Sequence, residues 1–323
     1  MRSHRAALGG RGVLSARDGN WFAAVPAWGE RCVDVFIRAT LPALAAALRG
    51  LDRPATLLVW TDQPDAVAAA YAGTNAPANV QLECAPVPAP SGRYAGLHAG
   101  FGVLSTCHAL ALGRAAAGDR VLLLTADMVV SREVLATCEA QVASGKRLVA
   151  CAAMRANEGG SPPLGADGAE LSAWAWDNRH PMTRDCTWPD GRSYDLWRIY
   201  FEREGEVAAR VFLPHPLACV PAGRSLQFYP TIDVNLVRHF TQSETHMITH
   251  PSEGAVVELS PPDKEYLRSG APMSERLKSR TESSPQLIPC ANPHQRMFFG
   301  RRAVIRGAGG DCGDQEIVSR VLG

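Results

Sequence analysis

The sequence predicts an α/β fold with a mostly parallel sheet and helices on both faces. Up to residue 153, short apolar runs alternate with segments of helical spacing. The runs are continuously apolar, which is typical of strands buried on both faces. Because an alternation of strands and helices implies crossovers between parallel strands, these two observations together indicate the class.

Composition excludes several classes of protein. The chain has 323 residues, 46% hydrophobic and 20% charged, which is ordinary for a globular protein. A formal net charge of +1 gives no indication of nucleic acid or an acidic membrane as partner. No apolar stretch has the length of a membrane span.

The cysteines bear on the cellular compartment. There are nine, an odd number, and no CxxC pair occurs. This pattern argues against a disulfide framework and a zinc site, and it favours a reducing cytoplasm as the location. Residues 1–19 are basic and glycine-rich without a long apolar core, so we expect a flexible leader.

The elements of the first half follow from the apolar runs and their spacing. Strands are predicted at 21–26, 55–60, 80–84, 121–124 and 147–152, and helices at 30–48, 66–71, 93–117 and 132–143. Pro42 is expected to kink or divide the first helix. Ser131 is a good N-cap candidate for the fourth.

The second half has a different texture. Residues 156–192 are rich in Gly, Pro, Asp and Arg, and four of the seven tryptophans fall between 174 and 197. Strands are predicted at 211–221 and 255–259, a long mobile loop at 269–293 and a helix at 315–322. Residues 20–155 and 156–323 are interpreted as two halves of one domain; the alternative is a domain boundary near residue 155.

Asp127 is the strongest candidate for a functional residue. It lies just past the apolar run 121–124, at the carboxyl end of a predicted strand, where open α/β sheets bind ligands. A carboxylate there can hold a divalent cation that also binds a diphosphate. Capping of the following turn is an equally weighted alternative.

Six segments, taken in order, carry a family resemblance. They are WFAAVPAWGERCVDVFIRATLPAL, LLVWTD, GRYAGLHAGFGVLSTCHALALGRAAA, LLLTADMVVS, HPLACVP and YPTIDVNLV. Over about residues 20–260 the chain resembles GT-A-type glycosyltransferases, and more narrowly bacterial glycosyltransferase-like proteins. The resemblance implies a GT-A-like, Rossmann-like fold. It also implies sugar transfer from a nucleotide-diphosphate sugar to an unknown small-molecule, glycan or peptide acceptor.

The resemblance also assigns the donor-binding residues. The first half, 20–155, would bind the nucleotide, and 156–323 would lie on the acceptor side. The donor-binding positions are Val25, Pro26, Trp28, Thr61, Asp62, Arg93, Ala126 and Asp127. Asp62 would accept hydrogen bonds from base or ribose, or else form an Asx turn with Gln63-Pro64. Arg93 would reach a phosphate, or else be solvated at a helix start.

The metal site implied by the resemblance is incomplete. The family's Asp-x-Asp reads Thr125-Ala126-Asp127 here, so the first carboxylate is missing. Mg²⁺ or Mn²⁺ would be held by Asp127 and His294, although a histidine in such a loop is more often structural. Because the motif is incomplete, metal dependence is in doubt, and Arg93 or Arg155 could neutralise the phosphates instead.

The acceptor side carries two further assignments. Asp233 would be the general base that takes the acceptor's proton, with an N-cap as the equal alternative. Trp174, Trp176 and Trp188 would form an apolar acceptor platform, although some of the four tryptophans could simply build a local core.

Two other functions stay open. Nucleotidyltransferases usually have a glycine-rich basic loop after the first strand, of which residues 26–31 are a poor version. A catalytically degenerate nucleotide-binding protein would explain the missing first aspartate. Neither GxGxxG nor GxxxxGK[ST] follows the first strand, which argues against a dinucleotide site and a P-loop.

Overall fold

The structure is a computed structural model. It describes residues 19–91, 95, 99–192, 198–221, 236–264, 268, 270–275 and 293–322. Within these residues no helix is both long and apolar enough to cross a membrane.

The strands alternate with helices up to β4, and several strands follow one another in the second half. The strands are β1 (Trp21–Pro26), β2 (Ala55–Trp60), β3 (Val80–Ala85), β4 (Arg120–Leu123), β5 (Met128–Val130), β6 (Leu148–Cys151), β7 (Met154–Asn157), β8 (Arg198–Arg203), β9 (Glu206–Val211), β10 (His215–Cys219), β11 (Thr245–Ile248), β12 (Val256–Ser260) and β13 (Arg302–Arg306). The helices are α1 (Glu30–Val35), α2 (Leu41–Leu48), α3 (Pro64–Ala72), α4 (Ala99–Arg114), α5 (Val134–Ala143), α6 (Gly168–Asp177), α7 (Pro181–Asp185), α8 (Pro293–Phe299) and α9 (Asp314–Leu322).

A seven-stranded sheet organises the molecule, in the order β11-β6-β10-β4-β1-β2-β3. The pairs β1/β2, β1/β4, β2/β3 and β6/β11 are parallel, whereas β10 runs antiparallel to both of its neighbours. The predicted α/β class with a mostly parallel sheet is therefore confirmed.

Apolar residues cover both faces of this sheet. Successive residues of a strand point to opposite faces, and accordingly Leu123 belongs to one buried cluster while Leu122 and Leu124 belong to another. Helix α4 packs into the first cluster, and helices α2 and α5 pack into the second. Because both faces of the sheet are buried, its strands are continuous apolar runs in the sequence.

The first predicted helix is divided, as Pro42 suggested. Helix α1 ends at Val35, a π-helical turn spans Phe36–Thr40, and α2 begins at Leu41. Pro42 lies in the first turn of α2, where a missing N–H costs no intrahelical bond.

The N-cap prediction for Ser131 is wrong. Helix α5 begins at Val134, and its cap residue is Glu133, with no side-chain capping bond. The Ser131 hydroxyl instead accepts a hydrogen bond from the Ala255 N–H at 3.0 Å. The Ser131 oxygen therefore bonds to the segment before β12 instead of capping α5.

Two smaller sheets complete the fold. One has the order β5-β12-β7, and the other has the order β13-β9-β8. Strand β5 was not predicted because it has only three residues, and β7, β8 and β13 were not predicted because polar residues interrupt their apolar pattern.

Gly168, the first residue of α6, is a steric requirement of the fold. A Cβ there would lie 2.0 Å from the Pro251 carbonyl oxygen. Because this oxygen belongs to the backbone, the clash can be removed only by moving the main chain. We expect Gly168→Ala to destabilise the protein by about 1–3 kcal/mol or more, because overpacking forces the backbone apart. Thermal unfolding should show a lower midpoint. Gly159→Ala, at an exposed site with no atom within 4 Å, is the control; equal midpoints for the two variants would contradict the prediction.

Candidate functional site

The strand order reverses beside β1. Strands β2 and β3 follow β1 on one side of the sheet, whereas β4 lies on the other side. Open α/β sheets bind ligands in the crevice outside the carboxyl ends of the strands at such a point. In this chain the corresponding position lies between the turn after β1 and the segment that joins β4 to β5, and it is called the crevice below.

The turn after β1 is braced by Asp62. The Gly29 N–H donates to both carboxylate oxygens of Asp62, at 3.2 and 3.1 Å. Gly29 has φ 75, a left-handed conformation that glycine adopts without strain. The predicted Asx turn does not use the Asp62 carboxylate in this structure; the Gln63 N–H donates to the Thr61 hydroxyl at 3.1 Å. The ends of β1 and β2 are therefore tied together at the crevice.

The predicted nucleoside contacts differ in accessibility. Val25, Pro26 and Thr61 are buried, so their side chains belong to the protein interior beneath the turn. Trp28 is half-buried and Asp62 is exposed. Of these five residues, Trp28 and Asp62 are the ones whose side chains present surface to a ligand.

Asp127 is held at the other side of the crevice. Its carbonyl accepts the Leu259 N–H at 2.8 Å, and its carboxylate accepts the Thr125 hydroxyl at 2.5 Å. The neighbouring Ala126 is buried, and its carbonyl accepts the Thr40 hydroxyl at 2.7 Å. The backbone at Ala126 and Asp127 is thus held by Thr40 and β12, and the half-buried Asp127 carboxylate is held by Thr125.

Glu258 on β12 is a second carboxylate beside Asp127. Burial, followed by the charge of Glu258, raises the pKa of Asp127 above its usual range. Burial also opposes ionisation of Glu258, but Arg155, Arg198 and Lys264 together lower its pKa. Arg155 Nη2 donates to Glu258 Oε1 at 2.5 Å. Glu258 is therefore the ionised partner, and Asp127 is the carboxylate whose charge is penalised.

Sequence reasoning missed Glu258. The available signal was an acidic residue inside the predicted apolar strand 255–259, because a charge in such a run needs a partner. Nothing in the spacing indicates that the partner is Arg155.

Arg31 links the turn after β1 to Asp127. Its Nη2 pairs with Glu158 Oε2 at 2.5 Å. Although burial alone would lower the pKa of Arg31, the carboxylates of Glu158 and Asp127 raise it. Burial and the Asp127 charge also raise the pKa of the Cys32 thiol. These charge effects indicate that the start of α1 lies near Asp127.

Two histidines support the end of β4. His215 Nε2 lies 2.9 Å from the Leu123 carbonyl, and His108 Nε2 lies 2.9 Å from the Leu124 carbonyl. Because a carbonyl accepts, each Nε2 carries the proton. Both side chains are buried, so they position the strand that leads to Asp127. His108 was not singled out by sequence reasoning.

The described residues do not by themselves form a divalent-cation site. The Asp127 carboxylate accepts a hydrogen bond from Thr125, and the Glu258 carboxylate is paired with Arg155. No cluster of three or more His, Cys, Asp or Glu side chains suited to a metal occurs in the part of the chain that the structure describes.

The predicted tryptophan platform needs a correction at Trp176. Its side chain is 1% exposed, its ring lies 5.7 Å from that of Tyr200, and its Nε1 donates to Glu202. A core residue of this kind cannot offer a ring face to an acceptor. Trp174 and Trp188 are half-buried, and both pack against buried clusters.

Three predicted site residues fall outside the description. Arg93 and Asp233 lie outside the described residues. His294 is part of α8, but its side chain is not among those described.

Comparison with solved structures finds Staphylococcus aureus TarS, residues 1–349. The TarS complex with UDP matches at TM-score 0.29 and 17% identity, covering 45% of this chain and 38% of the TarS chain. The complex with UDP-GlcNAc matches at TM-score 0.37 and 13% identity, covering 94% and 71%. TarS without a named ligand matches at TM-score 0.35 and 12% identity, covering 94% of this chain and 70% of the TarS chain. These values describe a distant likeness of fold. No family model and no curated protein sequence matches the chain.

Proposed function

We propose that the protein transfers a sugar from a nucleotide-diphosphate sugar to an acceptor. The observation that supports this proposal is the position of Asp127, just past the carboxyl end of β4, where the strand order reverses beside β1. The turn after β1, held by Gly29 and Asp62, would form the opposite wall of the donor site.

The nucleoside would lie against Trp28 and Asp62. A half-buried indole offers an apolar face to a base. An ionised carboxylate has about four acceptor positions, and the Asp62 oxygens receive the Gly29 N–H. The remaining positions are available for ribose hydroxyls.

The diphosphate would lie between Asp127 and the basic side chains near it. A leaving nucleoside diphosphate gains negative charge as the glycosidic bond breaks, and fixed cations stabilise that charge. Arg31 and Lys264 are electrostatically close to Asp127. Folded proteins place carboxylates with raised pKa values most often at functional sites. A Mg²⁺ or Mn²⁺ ion bound chiefly by phosphate oxygens would take Asp127 as its protein ligand.

The acceptor side of the proposal rests on sequence. Asp233 would accept the acceptor's proton, and His294 would contribute to a metal shell. Trp174 and Trp188 retain exposed ring surface and remain candidates for acceptor contact.

Binding of nucleotides tests the proposal. UDP, GDP, CDP and ATP are added in turn, with and without Mn²⁺, and the unfolding temperature is measured. A nucleoside diphosphate should raise it, because a ligand that binds the folded state stabilises that state. Asp62→Ala should abolish the shift, whereas Asp65→Ala, at a nearby exposed position on α3, should keep it.

Three other outcomes have definite meanings. Preference for ATP with release of pyrophosphate would identify nucleotidyl transfer. Diphosphate binding without hydrolysis of any nucleotide sugar over hours would identify a degenerate binding protein. No shift with any nucleotide would overturn the proposal.

A further inference from the structure

A small recess opens beside the Asp127–Glu258 pair. It is lined by Arg155 on β7, Met182, Thr183 and Cys186 on α7, and Arg198 and Tyr200 on β8, and its volume is about 30 Å³. We propose that this recess binds a carboxylate or phosphate group of the acceptor, so that the acceptor is an anionic molecule. The inference rests on the proposed function and names the substrate class on its acceptor side.

Arg155 is the main reason to expect an anion. Its side chain is 18% exposed and ion-paired with Glu258. Nη1 donates to the Met182 sulfur at 2.9 Å, which is a weak acceptor. Among the described residues its buried Nε has no hydrogen-bond partner. A guanidinium with poorly satisfied donors is costly to bury, and a bound anion would offset that cost.

The opposite wall supplies further donors. Arg198 donates to the Ala153 carbonyl and also interacts with the Tyr200 side chain. Burial raises the pKa of Tyr200, so its hydroxyl keeps its proton at neutral pH and can donate to an anion. The Thr183 hydroxyl is not counted as a donor to the anion, because it donates to the Arg155 carbonyl at 2.7 Å.

The charge balance around the recess is positive. Arg155, Arg198 and Lys264 are the cations that act on Glu258, so among the described residues three positive groups lie around two carboxylates, those of Glu258 and Asp127. The surplus of positive charge favours a negatively charged ligand.

The size and position of the recess favour the acceptor over the donor. Ligand pockets usually exceed about 300 Å³, so a recess of about 30 Å³ takes at most one small charged group, not a whole nucleotide sugar. Glu258 pairs with Met128 on one side and with Arg155 on the other. Two strand spacings amount to roughly 10 Å, so an anion here lies close to, but apart from, a diphosphate at Asp127.

Calorimetric titration with inorganic phosphate and methyl phosphate tests the inference. The protein is first saturated with the nucleoside diphosphate that stabilises it. The donor site is then occupied, so that phosphate cannot bind there. Arg155→Gln and Arg198→Gln should each weaken phosphate binding by about tenfold or more, as loss of a charge-assisted hydrogen bond implies. Nucleotide affinity should not change in Arg198→Gln. Arg203→Gln, at an exposed position on the same strand, is the matched control and should bind as the wild type does.

The contrary outcomes separate the two proposals. Equal phosphate affinity in Arg198→Gln, Arg203→Gln and the wild type, or no phosphate binding at all, would overturn the recess while nucleotide binding stands. Loss of nucleotide affinity in Arg198→Gln would assign the recess to the donor and overturn the acceptor assignment. Absence of nucleotide binding would overturn the proposed function and the acceptor assignment together. If Arg155→Gln does not fold, Arg198→Gln and Tyr200→Phe carry the test.

Discussion

Replacing Asp314 by alanine is expected to destabilise the protein by about 3–5 kcal/mol, the usual cost of removing one partner of a buried ion pair. Arg210 and Asp314 have side chains 3% and 1% exposed, with Arg210 Nη2 2.6 Å from Asp314 Oδ2. Arg210 Nη1 also donates to the Gly300 carbonyl at 2.7 Å. The pair thus joins β9, the end of α8 and the start of α9, and its loss leaves a buried guanidinium without its carboxylate.

Calorimetric unfolding measures this loss as a lower midpoint. Asp311→Ala is the control, because Asp311 is 70% exposed and lies 3.8 Å from the exposed Arg203; a change within about 0.5 kcal/mol is expected there. Replacing Arg210 by Met and Asp314 by Leu together should recover much of the stability, since neither charge then remains buried. Equal midpoints for the two alanine variants would show that the pair contributes nothing.

Asp127→Asn is expected to stabilise the fold and, under the proposed function, to lower hydrolysis of the nucleotide sugar by about 10²–10³-fold, because the carboxylate would hold the cation that offsets the charge of the leaving diphosphate. Burial and Glu258 raise the pKa of Asp127 in the folded state. A raised pKa means that the folded state binds the proton more tightly than the unfolded chain does. Stability is therefore lost as pH rises from the unfolded towards the folded pKa. Asparagine removes this loss and still accepts the Thr125 hydrogen bond.

Unfolding temperatures at several pH values test whether Asp127→Asn stabilises or destabilises the protein. The variant should unfold above the wild type at neutral pH, and the difference should shrink as pH falls towards the ordinary range of aspartate. Asp34→Asn, at an exposed position on α1, should change neither stability nor hydrolysis appreciably. A lower unfolding temperature with unchanged hydrolysis would make Asp127 a turn-capping residue, which is the structural alternative for this position.

The strands of the first half were predicted closely because one physical signal dominates there. Strands β1 and β2 occupy the predicted ranges, since each is buried on both faces and every residue reports the same environment. Strands β7 and β8 were missed because half-burial mixes polar with apolar residues. Ser131 failed as a cap because a distant N–H, that of Ala255, competes for its hydroxyl.

The candidate site divides in the same way. Asp62 and Asp127 could be selected from the sequence because each follows a buried strand, and strand ends meet at one edge of a parallel sheet. Trp176 was misplaced because an aromatic residue in a short amphipathic segment reads alike whether it faces the core or a ligand. Glu258 was missed because its effect on Asp127 depends on pairing between β5 and β12, which are more than a hundred residues apart.

By itself, the sequence determined the fold class and the strand ends at which the candidate site is proposed, because both follow from local runs of apolar residues and their order along the chain. Only the tertiary structure decided the electrostatics of that edge. Long-range pairing brings Glu258 beside Asp127 and Arg155 beside Glu258, and burial then sets which carboxylate keeps its charge. Charge interactions depend on distance and on exclusion of water, and neither quantity is encoded in spacing along the chain.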